Sequence, residues 1–264
     1  MKVIILCGGF GTRLREETET RPKPMVEIGG KPILWHIMKT FGHYGYNDFV
    51  LCLGYKGEVI KNYFLNYENL NNDFTIELGT RNVQVHNTFE ENGWRVTLVD
   101  TGLHSMTGAR VKRVEKYVDG DRFMLTYGDG VTDLDINELV RFHESRRKIG
   151  TVTGVSPPSR YGEMGISGDR VVSFREKPHS PDSFISGGYF VFERAFFQYL
   201  SEAESCVLER EPMERLTAES QLGVYTHEGF WQCMDTYRDY VYLNELWNKD
   251  RARWRVWDAR PPNQ

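Results

Sequence analysis

The feature that most constrains the fold is a regular alternation of buried-strand and helix patterns over the first 155 residues. Four runs of apolar and β-branched residues have the length of strands covered on both faces: residues 3–7, 48–53, 123–127 and 151–155. Three segments between them have helical character: residues from Pro32 onward, 59–65 and 135–147. This order predicts an α/β fold, with a mostly parallel, Rossmann-like sheet and helices on both faces.

The rest of the chain is less regular. Residues 66–100 lean towards β structure between polar loops, and we interpret them as an insertion or an antiparallel edge. After residue 155 the apolar runs are shorter, at 171–175, 189–192 and 224–227. They predict a smaller α+β portion packed on the first. A length of 264 residues is compatible with one domain spanning residues 1–264.

Composition excludes several classes of protein. The net charge is −4, so a polycationic nucleic-acid-binding or membrane-binding surface is not expected. No apolar run approaches the ~18 residues of a membrane span, and the N-terminus is too short in apolar residues for a secretory signal. We therefore expect a cytoplasmic protein without nucleic-acid or membrane partners.

Cysteine and histidine spacing gives no sign of a zinc site. The four cysteines are far apart and form no Cys-x-x-Cys pair, which indicates reduced thiols rather than a disulfide framework. The seven histidines form no cluster with the spacing of metal ligands.

A glycine-rich turn follows the first strand, with the sequence Gly8-Gly9-Phe10-Gly11-Thr12-Arg13-Leu14. Glycines let backbone N–H groups approach an anion closely. Leu14 stands where a dinucleotide fingerprint needs its third glycine, and Gly30-Lys31 is followed by Pro32 rather than the Ser or Thr of a Walker loop. A tight structural turn is the alternative, but Arg13 favours a polyphosphate site.

A second motif, Arg21-Pro22-Lys23-Pro24-Met25, places a lysine between two prolines. Each proline fixes its own φ and favours an extended conformation in the residue before it, so Lys23 is held on a stiff segment. An ordinary proline loop with a solvated lysine is the alternative. The glycine-rich turn ten residues upstream favours a cation directed at phosphate.

These motifs, together with Gly29-Gly30-Lys31-Pro32-Ile33, resemble the nucleotidyltransferases that make sugar nucleotides. The chain is most similar to the glucose-1-phosphate cytidylyltransferase branch of that family. Further segments that carry this similarity are 31–39, 54–57, 99–102, 105–108, Thr126-Tyr127-Gly128-Asp129-Gly130-Val131 and Gly229-Phe230-Trp231-Gln232. The resemblance extends to about Trp257.

The resemblance implies transfer of a cytidylyl group from CTP to a hexose 1-phosphate, with glucose 1-phosphate as the expected substrate and Mg²⁺ as cofactor. The products would be CDP-glucose and pyrophosphate, used in deoxysugar synthesis for lipopolysaccharide or another surface polysaccharide. Two alternatives stay open: the same chemistry with dTTP, UTP or another hexose 1-phosphate, and a non-catalytic sugar-nucleotide sensor.

The implied nucleotide site draws on the glycine-rich turn, the lysine motif and two later segments. Its residues are Leu6, Gly8, Gly9, Gly11, Thr12, Arg13, Lys23, Thr107, Arg110 and Gly128. Arg13 and Lys23 are the predicted catalytic residues, because cations lower the repulsion between two polyanionic substrates. The alternatives are a helix cap for Thr107 and a helix surface position for Arg110.

Two aspartates are the predicted magnesium ligands. Asp129 follows a strand, at the edge where open α/β sheets bind ligands. Asp235 precedes a helical pattern, where an aspartate that caps the helix is an equally good interpretation from spacing alone. The resemblance implies that both hold magnesium. We interpret Asp133 as structural and Asp135 as the cap of the helix that follows it.

The implied sugar-phosphate site lies mainly in the second half of the chain. Its residues are Tyr127, Glu176, Lys177, Ser186, Gly187 and Gly188. The resemblance implies that Lys177 contacts the sugar phosphate and that Glu176 faces sugar hydroxyls, whereas a strand-end ion pair is the alternative. Ser186 stands where the branch has asparagine, so the identity of the sugar stays open.

The resemblance thus divides the domain into residues 1–155, mainly for the nucleotide, residues 156–247, mainly for the sugar phosphate, and a tail of residues 248–264. The indoles of Trp254 and Trp257 in this tail require burial. Either the body of the same chain or a second copy in a homo-oligomer could supply that burial.

Overall fold

The computed structural model describes residues 1–86, 91, 93–156, 163–175 and 184–258. The strands are β1 (Lys2–Leu6), β2 (Glu27–Ile28), β3 (Lys31–Pro32), β4 (Asp48–Leu53), β5 (Phe74–Glu77), β6 (Asn82–Val85), β7 (Arg95–Asp100), β8 (Arg122–Tyr127), β9 (Gly130–Thr132), β10 (Gly150–Val155), β11 (Glu163–Ser167), β12 (Arg170–Arg175), β13 (Ile185–Glu193), β14 (Leu222–His227) and β15 (Trp231–Cys233). A central sheet has the strand order β14-β10-β13-β8-β1-β4-β7.

The central sheet is mostly parallel, which confirms the predicted fold class. Strands β7, β4, β1 and β8 run parallel to one another, and β10 runs parallel to β14. Strand β13 is antiparallel to both of its neighbours, β8 and β10. Strands β13 and β14 therefore extend the central sheet, whereas the hairpin β11–β12 and strand β15, which pairs with β9, lie outside it.

One interpretation of residues 66–100 is wrong. Residues 95–100 form β7, a parallel edge strand of the central sheet rather than an insertion or an antiparallel edge. Most of its side chains are half-buried, so its sequence lacks the continuous apolar run of an interior strand. The antiparallel hairpin β5–β6 does lie outside the central sheet, as expected of an insertion.

Helices cover both faces of the sheet. They are α1 (Arg15–Thr18), α2 (Ile33–His43), α3 (Gly57–Leu65), α4 (Tyr67–Asn71), α5 (Thr107–Arg113), α6 (Ile136–Arg146), α7 (Glu211–Ala218) and α8 (Tyr237–Asn248). Because side chains of a strand alternate between faces, Val3 and Ile5 pack in one core with α2, α6 and α8, and Ile4 and Leu6 pack in another with α5 and α7. Asp135 caps α6 as predicted, accepting from the backbone N of Glu138 at 2.9 Å.

The tail folds back on its own chain as far as residue 258. Trp254 is fully buried, its ring centroid is 5.4 Å from that of Phe230, and its Nε1 donates to Nδ1 of His36 at 3.3 Å. Cys7 and Cys52 are buried, and all four cysteines are free thiols, as predicted. Of the helices in the described ranges, none has the length and apolar character needed to cross a membrane.

Candidate active site

A cleft of about 390 Å³ lies where the strand order reverses beside β1. The chain runs from β1 outward to β4 and β7, and then places β8 on the other side of β1. In open α/β sheets such a reversal opens a ligand crevice at the carboxyl ends of the strands. Every residue predicted for the nucleotide or the metal lines this cleft, and so does Tyr127.

The glycine-rich turn forms one wall of the cleft. Gly11 has a left-handed φ of +63°, and its carbonyl accepts from the backbone N of Leu14 at 3.0 Å. An added Cβ at Gly8 would lie 2.2 Å from Nη1 of Arg110, whereas one at Gly9 would meet no atom within 4 Å. The turn therefore packs closely at Gly8 and presents an open backbone at Gly9, as close approach to an anion requires.

The turn after β8 packs directly on the end of β1. The backbone N of Gly128 donates to the carbonyl of Leu6 at 3.0 Å. An added Cβ at Gly128 would lie 2.9 Å from that carbonyl oxygen and 2.9 Å from Cγ of Pro24. Glycine at this position thus brings Asp129, the next residue, against the lysine motif.

Lys23 joins the two predicted metal ligands. Pro22 is extended, and a 3-10 turn begins at Lys23 with its following residue, Pro24, buried. Nζ of Lys23 lies 2.6 Å from Oδ2 of Asp129 and 2.5 Å from Oδ1 of Asp235. Nη1 of Arg13 lies 2.9 Å from Oδ2 of Asp235. The four residues singled out from the sequence therefore surround one cavity.

The protonated form of Lys23 is strongly stabilised. Burial acts to lower the pKa of Lys23, but the charge of Asp129 and the hydrogen bonds to Asp129 and Asp235 outweigh it and raise the pKa well above its ordinary value. Arg13 is mostly exposed at the mouth of the cleft, whereas only 13% of the Lys23 side chain is exposed. The site therefore holds one deep and one shallow fixed cation.

Asp129 and Asp235 fit a divalent cation by their chemistry. Together with Cys233 they offer three potential ligand atoms within 4.8 Å of one another. Burial, followed by the charge of Asp129, raises the pKa of the Cys233 thiol. The thiol therefore stays protonated, and the two carboxylates are the ligands that the set offers to a metal ion. One or two carboxylates are the usual protein ligands of Mg²⁺.

The alternative role for Asp235, capping the next helix, belongs to its neighbour. Thr236 is the N-cap of α8, and its hydroxyl accepts from the backbone N of Asp239. The Asp239 carboxylate accepts in return from the backbone N of Thr236 at 2.9 Å, which completes a capping box. Asp235 thus directs its carboxylate to Lys23 and Arg13.

Arg110 lines the cleft but is not a helix surface residue. It is only 5% exposed, and burial lowers its pKa from the ordinary value. Its terminal nitrogens donate to five acceptors: the carbonyls of Gly8, Leu53, Gly102 and Leu103, and Oγ1 of Thr101. Arg110 therefore holds together the glycine-rich turn, the end of β4 and the loop after β7, and its contact with a nucleotide stays a prediction.

Sequence reasoning missed Glu209 at this site. Its Oε2 accepts from the hydroxyl of Thr107 at 2.7 Å, and its Oε1 accepts from the hydroxyl of Tyr127. Thr107 is the first residue of α5 and follows the N-cap, so its predicted alternative as a helix cap is wrong. Glu209 lies in a charged stretch before α7, where nothing in the sequence separates it from ordinary acidic residues near a helix N-terminus.

The predicted sugar-phosphate residues are only partly within the described ranges. Glu176 and Lys177 lie outside them. Ser186, Gly187 and Gly188 belong to β13, next to the 390 Å³ cleft rather than among its lining residues. Gly188 has a φ of +76°, and an added Cβ there would lie 2.6 Å from Cδ2 of Tyr127. Tyr127 thus separates the cleft from the glycine pair.

Comparison with known families assigns the chain. The family model described as nucleotidyl transferase matches residues 2–247. The chain belongs to this family. The nucleotidyl transferase is 49% identical over 259 residues to the glucose-1-phosphate cytidylyltransferase of Salmonella typhi, which covers 98% of this chain and 100% of that protein. The predicted resemblance is therefore confirmed.

Two further comparisons agree. A probable glucose-1-phosphate cytidylyltransferase of Bacillus subtilis is 41% identical over 257 residues, covering 97% of this chain and 100% of that protein. A crystal structure of a putative glucose-1-phosphate thymidylyltransferase from Bacillus anthracis, in complex with a sucrose, superposes with a TM-score of 0.69. It is 20% identical and covers 100% of this chain and 98% of that chain, a likeness of fold.

Proposed function

We propose that this nucleotidyl transferase forms CDP-glucose and pyrophosphate from CTP and glucose 1-phosphate. The observation that carries the proposal is the 49% identity, over 98% of the chain, to a glucose-1-phosphate cytidylyltransferase. The cleft supports it, because Arg13 and Lys23 lie with two carboxylates at the switch point of the sheet. Two cations beside a divalent-metal ligand pair suit two polyanionic substrates.

The reaction needs no protein nucleophile. A phosphate oxygen of the sugar phosphate attacks the α-phosphorus of CTP, so a new P–O bond forms. The bond from the α-phosphorus to the oxygen that links it to the β-phosphorus breaks, and pyrophosphate leaves with that oxygen and the electron pair. Like charges ~4 Å apart repel by about 1 kcal/mol in water and about 4 kcal/mol at the effective dielectric of a protein site. We assign Arg13 and Lys23 the task of neutralising this repulsion.

Asp129 and Asp235 are the residues that would hold Mg²⁺. A bound magnesium ion neutralises and orients phosphate oxygens. The two carboxylates already converge on one cation, the Lys23 ammonium, at 2.6 and 2.5 Å. The backbone of Gly8, Gly9, Gly11 and Thr12 would bind the triphosphate, with Leu6, Thr107, Arg110 and Gly128 completing the nucleotide wall.

The sugar phosphate would bind on the far side of Tyr127. We assign Lys177 to its phosphate, and Glu176, Ser186, Gly187 and Gly188 to the sugar. Residues 1–155 then serve mainly the nucleotide and residues 156–247 mainly the sugar. Trp231 donates from Nε1 to the carbonyl of Gly187 at 2.7 Å, which anchors the glycine pair on this side.

A substrate panel tests the proposal. CTP, dTTP, UTP and GTP are each combined with glucose, mannose and galactose 1-phosphate, and pyrophosphate release is measured with Mg²⁺, with Mn²⁺ and with EDTA. We expect the highest kcat/KM for CTP with glucose 1-phosphate, and no release in EDTA. A higher value for another nucleotide or sugar would contradict the specificity, and tight CTP binding without any release would support a sensor instead.

Three further expectations concern the location, the pathway and the assembly of the enzyme. We propose that the enzyme works in the cytoplasm, supplies CDP-glucose to deoxysugar synthesis for lipopolysaccharide, and forms a homo-oligomer. Because Trp254 is buried in its own chain, the tail gives no support to the oligomer. Light scattering at two protein concentrations measures the assembly state, and cell fractionation measures the location.

A further inference from the structure

Two hydroxyls that line the cleft share one carboxylate. Thr107, at the start of α5, donates to one oxygen of Glu209, and Tyr127, at the end of β8, donates to the other. In the proposed function Thr107 belongs to the nucleotide wall and Tyr127 to the sugar wall. Glu209 therefore joins two elements that meet different substrates.

The position of Glu209 is determined by α5. The loop before α7 is bound to the start of this helix, because the backbone N of Ala109 donates to the carbonyl of Cys206 at 3.1 Å. The backbone N of Leu208 donates to Oγ1 of Thr107 at 3.0 Å. An added Cβ at Gly108 would lie 2.7 Å from Sγ of Cys206, so the loop packs on the helix without a gap.

The position of Tyr127 depends on Glu209 in turn. Its ring lies against Gly188, where an added Cβ would come within 2.6 Å, and its hydroxyl reaches Glu209. Burial, with the Glu209 charge as the next cause, raises the pKa of Tyr127 far above its ordinary value. The hydroxyl is therefore a permanent donor, and Glu209 is its acceptor.

The charge of Glu209 separates it from the phosphate-binding groups. The cations Arg13 and Lys23 attract phosphates, whereas a carboxylate repels them at short range. Glu209 is thus unsuited to the triphosphate, and two hydroxyl donors on its two oxygens suit a role in alignment.

We propose that Glu209 is a positioning residue that aligns the nucleotide wall with the sugar wall by fixing the hydroxyls of Thr107 and Tyr127. This inference rests on the proposed function only in placing one substrate on each wall. Each wall loses about one hydrogen bond when the carboxylate is removed, and one such bond is worth roughly a 2-fold to 10-fold change in affinity. Both substrates are therefore expected to bind more weakly when Glu209 is changed.

The test is a steady-state series of Glu209→Ala, Glu209→Gln and Tyr127→Phe. We expect Glu209→Ala to raise the KM of both substrates about 5-fold, with kcat changed less than about 3-fold, because Lys23 and Asp129 are untouched. Glu209→Gln keeps one acceptor oxygen and should recover part of each KM. Tyr127→Phe should raise the KM of the sugar phosphate alone.

A double variant separates positioning from general damage. If Glu209 acts through Tyr127, removing both groups does no more than removing Glu209. The double variant Glu209→Ala/Tyr127→Phe should then have the same KM for the sugar phosphate as Glu209→Ala alone. Glu211→Ala is the matched control, because Glu211 lies two residues away and forms a surface ion pair, with its Oε1 3.6 Å from Nη1 of Arg215. Its KM values should equal those of the wild type.

Two results would overturn the inference. One is unchanged KM values in Glu209→Ala. The other is an increase of the sugar-phosphate KM in the double variant that equals the product of the increases in the two single variants. The wild type is first assayed on the full substrate panel, and the pair that it turns over supplies the two KM values. A wrong nucleotide or sugar in the proposed function therefore leaves this test intact. If the wild type turns over no pair, calorimetric Kd values for CTP and glucose 1-phosphate replace the KM values in the same comparisons.

Discussion

Replacing Lys23 with methionine removes a charge while keeping the length of the side chain. The Lys23 ammonium lies 2.6 Å from Asp129 and 2.5 Å from Asp235, and 13% of the side chain is exposed. At this depth an effective dielectric of about 20 applies, and a cation ~4 Å from a phosphoryl oxygen contributes about 4 kcal/mol. That value corresponds to roughly 10³ in rate. We expect Lys23→Met to lower kcat/KM by about 10²- to 10³-fold.

The protein should stay folded in this variant. Asp235 keeps its bond to Arg13 at 2.9 Å, and the carboxylates of Asp129 and Asp235 are each about a quarter exposed. We expect the free energy of unfolding to fall by about 1–3 kcal/mol, which is less than the stability of a typical domain. Denaturant unfolding measures this loss separately from activity.

The assay is continuous pyrophosphate release with both substrates varied. Lys61→Met is the matched control, because Lys61 is exposed on α3, and it should leave kcat/KM unchanged. Lys23→Arg keeps the charge with a different geometry, so its kcat/KM should lie between those of Lys23→Met and the wild type. A folded Lys23→Met enzyme within about 3-fold of the wild type would refute the electrostatic reasoning.

Three further predictions concern stability. Burial lowers the pKa of His36 to about 4, below its unfolded value of 6.5. The stabilisation that the neutral, buried His36 gives to the folded state is therefore complete above pH 6.5 and is lost as the pH falls towards 4. Between pH 7 and 5 this loss is about 2 kcal/mol, and denaturant midpoints should show a smaller loss in His36→Asn. Gly8→Ala, whose Cβ would lie 2.2 Å from Arg110, should cost roughly 1–3 kcal/mol in urea unfolding, and equal stability of Gly8→Ala and Gly9→Ala would contradict the packing. Asp135→Ala should cost about 1 kcal/mol and lower Tm by roughly 2–4 °C in calorimetry, while Asp135→Asn keeps the cap; equal Tm values would contradict it.

Local patterns were enough to predict a strand in the sheet interior and an amphipathic helix with a clear N-cap. Strand Asp48–Leu53 has the predicted bounds, and helix Ile136–Arg146 begins after the predicted cap at Asp135. Strand β7 was misinterpreted because an edge strand has neighbours on one side only, and its half-buried residues resemble those of a peripheral hairpin. The residues of a strand do not by themselves determine whether it pairs parallel or antiparallel to its neighbour.

The position of the cleft followed from local sequence together with the general behaviour of parallel sheets. The glycine-rich turn, the lysine between prolines and the aspartate after a strand are each short motifs, and carboxyl ends of neighbouring parallel strands meet at one edge. This geometry brings Lys23 to Asp129 although 106 positions separate them in the sequence. Asp235 was left undecided by spacing, and the capping box of Thr236 decided it.

The sequence by itself therefore determined the fold class, the family and the residues that line the cleft around Lys23, because each depends on short motifs and on burial. Only the tertiary structure decided the roles of Arg110 and Glu209. Arg110 donates to carbonyls of the glycine-rich turn, the end of β4 and the loop after β7, and Glu209 accepts from hydroxyls of residues 102 and 82 positions away. Such partners are brought together by packing of the whole chain, so no local pattern contains them.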